Sequence, residues 1–211
     1  MTARRFPDDP TFGSAAEEHF VETLQEQLPD DAVLFCNLRF SDGREDREAD
    51  LIVAWPGVGV AVVEVKGGSV SLDRGEWRQV GDGFDGVIHP VDQAVACKYL
   101  LCDYLDDHPR WSAGRPRTAH LVALPATTLP DDFIAPGLAR WMALDKSDVP
   151  HAATRIRTAL QQIRDEHGRA VFLPTVLRSH ARPAERTHRK GPGRRCVRLG
   201  SSLPCCLPTA P

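Results

Sequence analysis

The sequence predicts an α/β fold, a central mixed β-sheet flanked by helices, with a disordered basic C-terminal tail. Three observations carry that prediction. Helical periodicity alternates with short apolar runs in the order αβββ(β)αβ(β)α, the pattern of a layered α/β domain. One of those runs, GVGVAVVEVK, is apolar on both faces, as a strand covered from both sides must be. Of the 211 residues, 42% are hydrophobic and 26% charged, a globular composition with enough length to bury a real core.

Each element has a local reason. Ser14 is a natural N-cap for a helix over Ala15–Gln27, in which Phe20, Val21, Leu24 and Leu28 recur at helical spacing, and Pro29 closes it. A strand follows over Val33–Phe40. The segment SDGRED, with Asp42-Gly43 at its centre, reads as a turn. ADLIVAW then forms a second strand and GVGVAVVEVK a third, with Pro56-Gly57 between them. Trp77–Val80 reads as a short strand, and Gly81-Asp82-Gly83 as a turn. His89–Asp106 reads as a helix, with Val91, Ala94, Val95, Tyr99 and Leu105 toward a core. Ala119–Pro125 is a strong strand and Trp141–Leu144 a weaker one. Ala152–His167 is amphipathic, with Ile156, Leu160 and Ile163 on one face and Gly168 as its stop.

Near residue 175 the composition changes. The segment RSHARPAERTHRKGPGRRCVRLGSSLPCCLPTAP has no helical or strand period and is rich in Arg, Pro, Gly and Cys. The organisation read from this is a domain over residues 10–172 and a tail over 175–211. The tail is either a basic nucleic-acid-binding segment or an end without function, such as the out-of-frame remnant of a longer gene. The net charge of −3 conceals the same division. Residues 178–198 hold eight Lys/Arg against one acid, Glu185, which leaves 18 basic and 28 acidic residues over 1–177, a net −10. A body that acidic does not clamp phosphates by itself; it needs metal ions, a local basic groove or a basic partner.

Val58 to Val65 is the longest apolar stretch, broken by Glu64 and too short to span a bilayer, so no membrane association is expected. The start MTARRFPDDP lacks the apolar region of a signal peptide. The six cysteines do not form a disulfide framework, and half of them (Cys196, Cys205 and Cys206) lie in the tail. These features point to the reducing cytoplasm. Cys97 and Cys102 have poor zinc spacing and read as core or surface thiols.

The chemistry lies in Asp50, Glu64 and Lys66. Side chains alternate along a strand, so Glu64 and Lys66 share a face, with Val60 and Val62 behind them. Charged residues ending a buried run are costly unless paired or metal-bound. Asp50 is expected to begin the preceding strand, and if the two strands pair its carboxylate lies near that of Glu64. Two such carboxylates attract a hard divalent cation, Mg²⁺ or Mn²⁺, to which the Val65 carbonyl can add a ligand. Such a metal generates hydroxide and stabilises charge on a scissile phosphate, with Lys66 orienting the water or neutralising developing charge. The alternative is a solvated Glu64–Lys66 pair at a strand end, with Asp50 capping a turn.

The run EADLIVAWPGVGVAVVEVKGG, followed by Trp77 and then HPVDQAVACKYL, resembles the nuclease-related domain called NERD, a branch of the PD-(D/E)xK nucleases. The segment SAAEEHFVETLQEQLPDDAVLFCNLRF fits the same family, and the resemblance covers about Ser14 to Tyr104. It implies a restriction-endonuclease-like core and metal-dependent hydrolysis of phosphodiester bonds in DNA. Position by position, Asp50 matches the first metal-binding acid, Glu64 the second, and Lys66 the lysine of the ExK core. Glu17 matches the acid of the first helix and Gln93 the glutamine of a later helix, which in the family contacts a phosphate or the catalytic water. Glu18 is the alternative helix acid, and Ser14-Ala15-Ala16-Glu17 is also a capping-box pattern, in which Glu17 would bind its own N-cap amide. Ala49 stands where the superfamily commonly has proline. The family is often fused to a helicase, so a helicase domain or protein is an implied partner, but no G-x-x-x-x-G-K-[ST] loop occurs here. Two further readings therefore stand beside the nuclease: a catalytically silent DNA-binding or targeting module that serves a helicase, and the remnant of a nuclease–helicase fusion.

Overall fold

A computed structural model describes residues 2–41, 46–81, 83–111, 114–167, 196–199 and 203–205. The elements in chain order are β1 (Arg4–Phe6), α1 (Ala15–Gln27), β2 (Val33–Ser41), β3 (Asp46–Trp55), β4 (Gly59–Val65), β5 (Ser69–Asp73), β6 (Glu76–Gly81), β7 (Phe84–Ile88), α2 (Pro90–Asp106), β8 (Thr118–Leu124), β9 (Ile134–Ala135), β10 (Leu138–Ala139), β11 (Ala143–Asp145), α3 (Ala152–His167), β12 (Cys196–Leu199) and β13 (Leu203–Cys205). The expected mixed sheet is present. Its order is β11-β8-β4-β3-β2-β12-β13, with β1 also pairing on β2. The steps β11–β8, β8–β4 and β1–β2 are parallel, and the others are antiparallel.

Side-chain alternation divides the core into two layers. On one face Leu34, Cys36, Leu51, Val53, Ala61, Val63 and Leu121 pack with Phe20, Val21 and Leu24 of α1 and with Ile156 and Leu160 of α3. On the other, Val33, Phe35, Ile52, Ala54, Val60 and Val62 pack with Leu101 and Leu105 of α2 and with Trp111. Every residue of β4 is buried, as its two apolar faces require. Cys36, Cys97 and Cys102 are buried free thiols, the first two inside these layers.

Several expectations are refined. β3 begins at Asp46, not at Asp50, because the β2–β3 ladder continues out to Ser41↔Asp46. Asp50 is therefore a mid-strand residue. Tyr99 was expected toward the core but is 54% exposed; Cys97, Leu101 and Cys102 fill that helix face instead. The Trp141–Leu144 strand is split. Arg140–Met142 is a 3₁₀ turn closed by the Ala143 amide on the Arg140 carbonyl, and only Ala143–Asp145 pairs with β8. Arg140 is drawn into that turn by Asp145 and Asp148, at 3.2 and 3.0 Å. The short Trp77 strand belongs to a separate three-stranded sheet, β5-β6-β7, whose inner side packs Trp77 on Phe133. Positive φ angles at Gly81 (142°) and Gly83 (78°) make the tight turn between β6 and β7. The middle of SDGRED, Asp82 and Gly168 lie outside the described residues.

Within residues 175–211, for which no regular structure is expected, the described residues form two strands. β12 pairs antiparallel with β2, from Cys196↔Ser41 to Leu199↔Leu38, and β13 folds back on β12. The outer edge of β2 offers unpaired backbone groups there, which favour an added strand. Among the described residues no helix is long and apolar enough to cross a membrane.

Leu121 is fully buried at the centre of the sheet. Leu121→Ala is expected to cost about 2–5 kcal/mol of stability, read as a lower urea midpoint with an unchanged slope. A midpoint equal to wild type would contradict the position given to β8.

Candidate active site

The site forms where two neighbouring strands stop pairing. The β3–β4 ladder runs from Trp55↔Gly59 to Leu51↔Val63 and no further. Beyond it, the Val65 amide donates to Asp50 Oδ2 at 2.8 Å, so a carboxylate takes the place of a backbone acceptor. The Lys66 amide turns the other way and donates to the Ala123 carbonyl at the end of β8, at 2.9 Å. Glu64 is held between the two partings, on the same face as Val60 and Val62. It is only 2% exposed, and Lys66 Nζ lies 2.5 Å from its Oε1.

Burial and proximity set the electrostatics. Burial, then the neighbouring Asp50 carboxylate, push Glu64 up to about 8, against the opposing pull of Lys66. Asp50 is also raised, chiefly by burial, while Lys66 and the Val65 amide favour its charged form. Both acids therefore favour their protonated form more than free carboxyls do, and a hard cation would compete with the proton.

Of the two helix acids, Glu17 is half-buried and Glu18 exposed. Burial and the charge of Asp50 push Glu17 up to about 7, which places it in the same electrostatic cluster. The capping pattern is present in a shifted form. Ser14 Oγ accepts from the Glu17 amide at 3.1 Å, but the Glu17 carboxylate accepts from Gly13, the residue before the cap, at 2.8 Å. Glu17 thus serves the helix start and faces Asp50 at once. Gln93 is exposed on the first turn of α2, one turn before Cys97 on the same helix face.

Cys97 is the residue beside the site that sequence reasoning left in the core. Its thiol donates to the Glu48 carbonyl at 3.4 Å. Burial, with the Glu64 and Asp50 charges, pushes it up to about 12, so with no metal bound it stays protonated at neutral pH. Nothing in the spacing of α2 reveals this, because the contact depends on how α2 crosses β4.

The donor set fits a hard cation held partly by water. Both carboxylates are oxygen donors, and their raised proton affinity is relieved by positive charge. Among the described residues no group of three or more His, Cys, Asp and Glu side chains could enclose an ion. That is compatible with Mg²⁺, which keeps several waters and takes one or two carboxylates.

A sheet that parts around an acid, a second acid two residues before a lysine on the neighbouring strand, and a helix acid across from them define a nuclease-like α/β domain. The family model described as NERD, nuclease-related domain, matches residues 12–125, more than half of the chain. The chain belongs to that family. It finds no significant match among curated proteins or among solved structures.

The raised carboxyls fix a pH dependence. Glu17 and Glu64 take up protons at about 7 and 8 when folded, against 4.5 as model groups, so between these values the native state binds more protons than the unfolded one. Stability of the metal-free protein therefore falls as pH rises from 5 to 8.5. Glu64→Gln is expected to flatten that fall and to raise the urea midpoint at pH 8.5. A variant that keeps the wild-type slope would remove Glu64 as its source.

Proposed function

We propose that the protein is a metal-dependent DNA nuclease, using Asp50 and Glu64 to hold Mg²⁺ or Mn²⁺. The observation that carries this reading is the pair of half-buried Asp50 and buried Glu64 at the parting of β3 and β4, with Lys66 Nζ 2.5 Å from Glu64. In this reading the Val65 carbonyl adds a ligand and Glu17 supports the site from α1. A bound divalent cation would lower the pKa of a water and offset charge on a scissile phosphate. The remaining work belongs to the side chains. The Lys66 ammonium, anchored by Glu64, orients the attacking water or neutralises charge that develops on the phosphate. Glu64 aims Lys66 through the bond its Oε1 accepts from the ammonium. In this reading Gln93, exposed at the start of α2, contacts a phosphate or the catalytic water. The site is reached by solvent through Lys66, which is 16% exposed while Glu64 is 2%.

A second reading keeps the fold without turnover: a DNA-binding or targeting module acting with a helicase domain or protein. It draws on the small donor set, since no three-ligand cluster forms among the described residues. The proposal of cytoplasmic action rests on the thiol chemistry, with Cys36, Cys97 and Cys102 all reduced.

Linear and circular DNA, single- and double-stranded, incubated at low salt with Mg²⁺, Mn²⁺ or EDTA, tests both readings. Cleavage is expected only with metal, with Asp50→Ala and Lys66→Ala each losing about a hundredfold or more. Equal cleavage by the variants would place the activity elsewhere. An inert wild type that still binds metal and DNA would establish the silent module.

A further inference from the structure

The turn that leads into α1 is gripped from two sides, by β2 next to the Asp50 strand and by the chain leaving β4. On one side stands Asn37 of β2. The β2–β3 register pairs Cys36 with Leu51 and Leu38 with Ala49, so Asn37 lies across from Asp50. It has a left-handed φ of 53° inside a strand, which asparagine tolerates far better than a β-branched residue. Its Nδ2 donates to the Thr11 carbonyl at 2.5 Å. On the other side stands Gly67, directly after Lys66. A Cβ there would lie 2.0 Å from Ser14 Oγ, 3.0 Å from Ser14 Cβ and 3.4 Å from Ala16 Cβ. Ser14 Oγ is already committed to the Glu17 amide, so it does not swing away without loss of the cap. Gly13, between the two grips, holds the Glu17 carboxylate through its amide.

We propose that Asn37 and Gly67 are positioning residues that clamp the Thr11–Ser14 turn and thereby fix Glu17 against Asp50. The proposal rests on the metal-site reading above and extends it to the supports of that site. Asn37 ties the turn to the strand paired with the Asp50 strand. Gly67 lets the helix cap approach the strand end that carries Lys66 more closely than any side chain permits. The acid from α1 is then set by contacts to β2 and to the chain leaving β4, so a loosened turn moves Glu17 without unfolding the core. Outer supports of this kind commonly govern metal affinity through the orientation of the inner groups.

The test is calorimetric titration of the full chain with Mn²⁺, with thermal midpoints measured alongside. Asn37→Gly keeps the left-handed backbone and removes only the donor. Gly67→Ala drives a methyl into Ser14, and the double variant Gly67→Ala with Ser14→Gly removes both atoms it strikes, at the small cost of a glycine cap. Each single variant is expected to bind Mn²⁺ about tenfold more weakly, and the double variant to regain most of that loss. A merely structural role for Gly67 would lower the midpoint without this pattern of loss and rescue. Wild-type affinity in both single variants overturns the clamp and leaves the metal site standing. Failure of the double variant to recover overturns the Gly67–Ser14 contact. If the wild type itself binds no Mn²⁺, or binds it equally after Asp50→Ala, the metal-site reading fails and the clamp falls with it.

Discussion

Two carboxylates set side by side at the end of a β-ladder, Glu64 buried and Asp50 half-buried, govern this structure. Taking Asp50 and Glu64 out of water is unfavourable for each, and their mutual repulsion adds to it. The chain supplies only part of the compensation. The Val65 amide satisfies one oxygen of Asp50, and the Lys66 ammonium satisfies one oxygen of Glu64. The two carboxyls also hydrogen-bond each other, so a shared proton ties the pair together and the fold has to keep that geometry in place.

The scaffold meets this demand by burying the strands on both faces. β4 is enclosed between β3 and β8, and above and below it by α2 on one side and α1 with α3 on the other. The two strands are locked up to Leu51↔Val63, so their divergence beyond that pair starts from a fixed point. The chain leaving the site is equally constrained. A Cβ on Gly67 would strike Ser14, and one on Gly68 would stand 2.7 Å from the Val80 carbonyl of β6. Two consecutive glycines after Lys66 therefore let the chain pass between α1 and the small three-stranded sheet. Trp77 on β6 then anchors that sheet to Phe133.

The sequence made the framework legible because the framework is periodic. The α1 boundaries follow from Ser14 and Pro29, and the doubly apolar run of β4 announces a central strand. ExK is legible as a triplet, since two charges on one strand face at the end of a buried run violate the hydrophobic pattern. What stayed hidden depends on long-range geometry. Asp50 reads as a strand start because Asp46 to Glu48 look like turn residues, and only pairing with β2 extends the strand through them. Ser69–Asp73 has two apolar residues in five, too few to signal a strand without its partner β6. Tyr99 looks like a core residue by spacing, yet the crossing of α2 over the sheet turns it to solvent beside Lys98, 4.5 Å from its ring. Asn37 carries no signal at all, because a left-handed residue within a strand is decided by what it faces across the ladder.

The charge distribution completes the physical account. An acid-rich body with a net −10 over residues 1–177 repels a polyanion, and the two acids would repel a phosphate most strongly of all. A site of this composition approaches a phosphate only after its own charge is offset, either by protons, which Glu17 and Glu64 retain up to about 7 and 8, or by a cation. Protons offset the charge but leave the carboxyls without a role in hydrolysis, whereas a divalent cation offsets it and turns the same oxygens into ligands. The chain's positive charge is concentrated in residues 178–198, and the end of that run enters the sheet as β12, with Leu199 beside Leu38 on β2. Since β2 also pairs with β3, the sheet brings the end of the basic run to within two strands of Asp50. The sheet that brings the acids together thus also holds the end of the basic run.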